Sequence, residues 1–162
     1  MNVEIIFEVS HATLGGTLSF PDAVGKLMGA GVEYYHVDYV RLRKTFYSAE
    51  GRTVTVPIAF DALPPVAPEL DVAALRANIL DSQRNGQPFR EFTRRAMAGG
   101  VQGYIAFLRG KRVTYWVATA SSTWNGFRGR SRKIIEMILF AFHNQSDFIR
   151  RKNSAGLTIG MP

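Results

Sequence analysis

The chain contains no cysteine. That excludes disulfides, thiolate metal ligands and a cysteine nucleophile, and it fits a reducing, cytoplasmic setting. Long apolar runs are missing as well. The most apolar stretch, "IIEMILFAF" from Ile134 to Phe142, is far shorter than the roughly 20 residues that span a bilayer. The opening "MNVEIIFEVSHA" has no basic leader and carries Glu4 and Glu8, so it reads as a poor signal peptide. A soluble intracellular protein is expected. Familiar site signatures are absent too: there is no G-x-S-x-G elbow and no H-x-x-x-H ligand spacing. Gly15-Gly16 and Gly99-Gly100 lack the strand–G-x-G-x-x-G–helix context of a nucleotide loop and read as turns. No metal and no cofactor are expected.

Acidic residues are scarce in one region only. The net charge is +7, yet residues 1–109 hold 11 Lys+Arg against 11 Asp+Glu. Residues 110–162 hold nine basic residues against Glu136 and Asp147. The body is neutral and the tail is basic.

The organising feature is an internal repeat. Displacing the chain by 69 residues lays "FPDAVGKLMGAGVEYYHVDYVRLRKTFY" over "FREFTRRAMAGGVQGYIAFLRGKRVTYW" without a gap. Phe20 then falls on Phe89, Gly31 on Gly100, Tyr35 on Tyr104 and Phe46 on Tyr115. Each unit reads as helix, helix, strand, strand. Ser19 and Asp22 form a capping box with Pro21 in the first turn. Phe20, Ala23, Val24, Leu27 and Met28 follow as an amphipathic stripe. Asp71 caps a second probable helix running to about Arg84. Val3 to about His11 suits helix or strand and is assigned helix by analogy between the units. Alternating β-branched and aromatic residues predict the hairpins Val32–Ser48 and Val101–Ala118.

The expected fold class is therefore α+β: two tandem pseudo-symmetric α-α-β-β units forming one antiparallel sheet backed by helices, plus a C-terminal helix. The units span about 3–58 and 72–118, joined by a linker over 61–70, and make one domain of residues 1–120. Residues 121–162 form a basic extension with a helix over about 131–151.

These residues resemble a bacterial family, domain of unknown function 1398, some of whose members carry the label "phage envelope protein". The resemblance rests on "SHA" (Ser10–Ala12), "SFPDAV" (Ser19–Val24), "AGVEYYHVDYV" (Ala30–Val40), "KTFY" (Lys44–Tyr47) and the second-half run from "AALRANILDSQ" to "VTYW". It covers roughly residues 5 to 118. It implies a small α+β domain and a prophage association, and it supplies no catalytic residues.

Candidate sites follow from the residues themselves. His36 and Asp38 lie two apart on a strand, so both point to one face, and a carboxylate beside a histidine is a common catalytic arrangement. The repeat places Ile105 and Phe107 at those positions, which favours a structural pair. His11 is the remaining candidate to join them in a pocket. "RLRK" (Arg41, Arg43, Lys44) and "RGKR" (Arg109, Lys111, Arg112) occupy matching hairpin turns and would form a symmetric basic pair for an anion or phosphate. The strand aromatics would stack on bases or pack a homodimer. Three functions are in competition. The first is a binding or interaction module without catalytic activity. The second is a nucleic-acid or anion binder using the turns and the basic tail. The third is a hydrolase-like enzyme centred on His36 and Asp38.

Overall fold

Asn2 sets the first helix. Its side-chain oxygen accepts from the Ile5 amide at 3.2 Å, capping α1 (Val3–Leu14) and resolving the helix-or-strand ambiguity of this segment. A computed structural model describes residues 1–117 and the backbone of Ile135–Met137. The capping box at Ser19 forms as expected: its hydroxyl bonds the Asp22 carboxylate and accepts from the Asp22 amide, opening α2 (Phe20–Gly29). β1 (Tyr34–Asp38), β2 (Arg43–Tyr47) and β3 (Thr53–Pro57) follow. Asp71 caps α3 (Val72–Asn85), and Pro88 precedes α4 (Phe89–Ala98). The chain then enters β4 (Val101–Phe107) and β5 (Arg112–Val117).

The class is α+β. The strands form one antiparallel sheet in the order β3-β2-β1-β4-β5. Its β5 edge is lengthened by a three-residue strand, β6 (Ile135–Met137). Those three residues fall inside the stretch where the sequence predicts a helix over about 131–151. An unpaired strand edge is a template for another strand, and here the β5 edge claims Ile135–Met137. The remainder of the predicted tail helix lies outside the described residues.

Alternation divides the sheet into two faces. Tyr35, Val37, Phe46, Tyr104, Val113 and Tyr115 are buried beneath the helices, in one core with Ile6, Val9, Leu27, Leu75 and Phe92. The intervening side chains, among them Tyr34, His36, Thr45 and Trp116, are half-buried on the opposite face. Features 69 residues apart recur. Gly31 and Gly100 both turn through positive φ, as do Leu42 and Lys111 in the two hairpin turns. Tyr35 pairs with Phe46 in one hairpin and Tyr104 with Tyr115 in the other. At the sheet's centre His36 lies opposite Ile105, the residue on which the repeat superposes it.

Candidate functional site

His36 and Asp38 share the open face of β1, away from the helices. Asp38 accepts from the Val40 amide at 3.0 Å and the Arg41 amide at 2.9 Å, so its carboxylate closes the hairpin turn. His36 packs its ring 4.2 Å from that of Trp116. Burial lowers its pKa and nearby Asp38 partly opposes the shift, which keeps the imidazole mainly neutral at pH 7. Its Nε2 has no hydrogen-bond partner among the described residues. His11 is exposed on α1, which packs on the other side of the sheet. The three residues do not converge, and among the described residues no group of His, Asp and Glu is placed to hold a metal.

The two basic turns do not meet either. β1 and β4 run antiparallel with Asp38 opposite Gly103 and Tyr34 opposite Phe107. Each turn follows the last residue of its strand, so the turns emerge at opposite ends of the sheet. One anion cannot span them. Arg41 and Lys111 are exposed in their turns, Arg109 pairs with Glu33 at 3.1 Å, and Arg112 lies over the Phe107 ring at 4.7 Å. Arg43 is half-buried beside Asp38. The open-face aromatics largely satisfy one another: Tyr34 stacks on Tyr47 at 4.6 Å and tilts against Phe107 at 5.8 Å.

Lys44 departs from its neighbours in "RLRK". It is the second residue of β2, and alternation turns it inward with Phe46. Only 4% of it is exposed. Its ammonium sits 3.8 Å from the centroid of the Phe89 ring, a cation–π contact. Among the described residues no carboxylate pairs with it. Burial alone therefore governs its titration and pulls its pKa down to about 7. A buried, uncompensated lysine is costly to stability and is characteristic of functional sites.

The Phe89 ring that Lys44 packs against also lines a void. Between the α1/α2 and α3/α4 helices and the sheet lies a cleft of about 360 Å³, at the lower end of the size range for small-molecule sites. Its walls are mostly apolar and aromatic, from Leu18, Phe20, Phe89 and Phe92, with Tyr104 and Tyr115 as the floor. It reaches the surface beside exposed Leu80, Gln83 and Arg84. Gln87 also lines it, with both amide atoms buried and unpartnered. A smaller space of about 30 Å³ shares Thr13, Phe20, Phe89 and Tyr104 with the cleft and is lined further by Ser10, Tyr35 and Lys44. Phe89 lines both spaces, and Lys44 lies close against its ring. Ser10 Oγ is buried there without a partner.

The tyrosines of this region are held as neutral donors. Burial raises Tyr35 to about 12 and lifts Tyr104 and Tyr115 well above the ordinary phenol value. Hydrogen bonding with Tyr104 moderates the Tyr35 shift. The site thus combines an apolar cleft with Arg84 at its mouth, a buried lysine with no carboxylate partner among the described residues, and several hydroxyl and amide groups with unused hydrogen-bonding capacity. No protein-family model matches the chain, and no curated protein matches it.

Proposed function

We propose that the chain is a small-molecule binding protein without catalytic activity, and that the cleft between helices and sheet takes an amphiphilic anion. The apolar body of such a ligand lies along Phe20, Phe89 and Phe92, and its acid group reaches toward Lys44. The observation that carries this reading is the buried lysine, with no carboxylate beside it among the described residues, in a small space that shares Phe20, Phe89 and Tyr104 with an apolar cleft. A ligand carboxylate supplies the missing counter-charge and restores the full ammonium, because an adjacent anion favours the charged form. Gln87 and Ser10 offer the hydrogen bonds that set orientation. The His36–Asp38 pair is explained by turn closure and ring packing, so it contributes nothing to this reading.

The test is a panel of benzoates and medium-chain alkanoates, each paired with its neutral amide or alcohol, read by native mass spectrometry and melting temperature. Acids are expected to bind and stabilise, and their neutral counterparts to bind more weakly. In the Lys44→Met protein that preference disappears. Equal binding of acids and neutral analogues by the parent protein overturns the anion reading. Binding of neither overturns the cleft as a ligand site.

A further inference from the structure

We propose that Lys44 is a nucleophilic amine that captures a small aldehyde or ketone as an imine in the small space adjoining the cleft. The inference rests on the preceding reading in one respect: a ligand must reach past Phe89. Beyond that it concerns the reactivity of the amine. An ordinary surface lysine is a poor nucleophile because it is protonated, and a lysine becomes reactive when an apolar pocket removes that proton. Lys44 meets the condition by position. It is buried against an aromatic face, and among the described residues no acidic group holds its proton. The titratable groups lining its space are Tyr35 and Tyr104, both kept neutral by burial, so neither stabilises an ammonium by charge.

The neighbours suit the chemistry. The Nζ lone pair attacks the carbonyl carbon, and the C=O π electrons move to oxygen, which takes a proton to give a carbinolamine. The nitrogen then loses a proton, its lone pair forms the C=N bond as the hydroxyl leaves as water after protonation, and the resulting iminium gives up its remaining N–H proton to become the imine. Amine plus carbonyl becomes imine plus water, with no change of oxidation level and no co-reactant. Tyr35, whose phenol proton is retained far above neutral pH, can donate a hydrogen bond to the carbonyl oxygen and then to the departing hydroxyl, the protons themselves passing through solvent. Ser10 Oγ, unpartnered in the same space, can accept a bond from the carbinolamine hydroxyl. The space of about 30 Å³ holds a carbonyl head and not a bulky group, so the rest of the molecule must occupy the larger cleft. The ligand class is therefore an aldehyde or unhindered ketone on an apolar or aromatic body.

The experiment exposes the full chain to benzaldehyde or hexanal with sodium cyanoborohydride, then locates the reduced adduct by intact-mass and peptide mass spectrometry. The expected result is one dominant adduct at Lys44, formed at least about tenfold faster than at the exposed Lys26. Its initial rate rises between pH 6 and 8 as the amine loses its proton, and benzoate slows it by competition. Lys44→Met, which keeps the length of the side chain, yields no dominant site. Modification spread over the surface lysines and the N-terminus, with no preference for Lys44, overturns the proposal. If benzoate binds with the expected dependence on Lys44 while no imine is trapped, the nucleophile is refuted and the binding cleft stands. If neither occurs, both fall.

Discussion

Replacing Lys44 by methionine should stabilise the protein at neutral pH, and the gain should shrink as pH rises. Methionine fills nearly the same volume in a space lined by Phe46, Phe89 and Tyr104 and carries no charge to desolvate. In the unfolded chain the lysine titrates at its ordinary 10.5; in the folded protein it does so at about 7. Above 10.5 both states hold a neutral amine and no penalty exists. Between the two values the unfolded state binds a proton that the native state does not, so stability falls as pH is lowered; below 7 both states are protonated and the penalty is constant. The two pKa values place the cost near about 4 kcal/mol at pH 7 and about 2 kcal/mol at pH 9, for a change of about 2 kcal/mol over that interval. Urea unfolding of both proteins at half-unit steps from pH 6.5 to 9 measures it directly. The parent protein should gain stability relative to Lys44→Met by that amount. Parallel curves would mean that Lys44 keeps its proton in the fold, through water or a charge partner, and the uncompensated-cation argument would collapse.

Gly100 takes φ +83°, and a Cβ there would collide with the Glu69 carbonyl, so Gly100→Ala should cost about 2 kcal/mol or more in chemical denaturation. Gly29, with open space around it inside α2, should gain slightly on the same change. Asp38→Ala removes two bonds to turn amides and should cost about 1 kcal/mol while leaving ligand binding in the cleft unchanged; loss of binding would return the pair to the functional site. His36 has its pKa lowered by burial, so the unfolded state takes up its proton first as the solution is acidified. Native stability should therefore fall below about pH 6.5, and His36→Gln should flatten that limb in melting curves.

Local physics made most of the body legible. Capping residues, amphipathic stripes and two-residue alternation are carried by neighbours in sequence, and Ser19, Asp71 and the two hairpins lie where those signals put them. Val3 to about His11 is ambiguous in sequence because its Ile and Val content suits either state, and a single cap at Asn2 with tertiary burial of Ile6 and Val9 decides it. Ile135–Met137 reads as helix by periodicity, but the pull of the β5 edge is a tertiary effect that periodicity does not contain. The two basic turns match in sequence, yet whether matched features meet depends on strand direction. Antiparallel pairing of β1 with β4 sends them to opposite ends.

The cleft was hidden for a different reason, since its walls come from helices and strands far apart in the chain. Its outline is nevertheless written in the repeat: Thr13 and Ser82, Leu18 and Gln87, and Phe20 and Phe89 are pairs 69 residues apart, and all six line it. Lys44 was concealed by its company. Within "RLRK" it counts as one more turn charge, whereas alternation from Phe46 places it on the inner face, and the repeat sets it against Val113, a buried valine. The same comparison that singles out His36 against Ile105 singles out Lys44 against Val113, and burial separates the two cases. His36 stands on the half-open face, where a polar residue costs little and Trp116 can cover it. Lys44 stands where its partner position is apolar and no carboxylate is near among the described residues, so about 4 kcal/mol of destabilisation at pH 7 is set only against its cation–π contact with Phe89. A cost of that size is a sizeable part of the 5–15 kcal/mol that typically holds a domain folded. A methionine at this position would remove the cost and fill the space, which makes an occupant that needs the amine the economical explanation for the lysine.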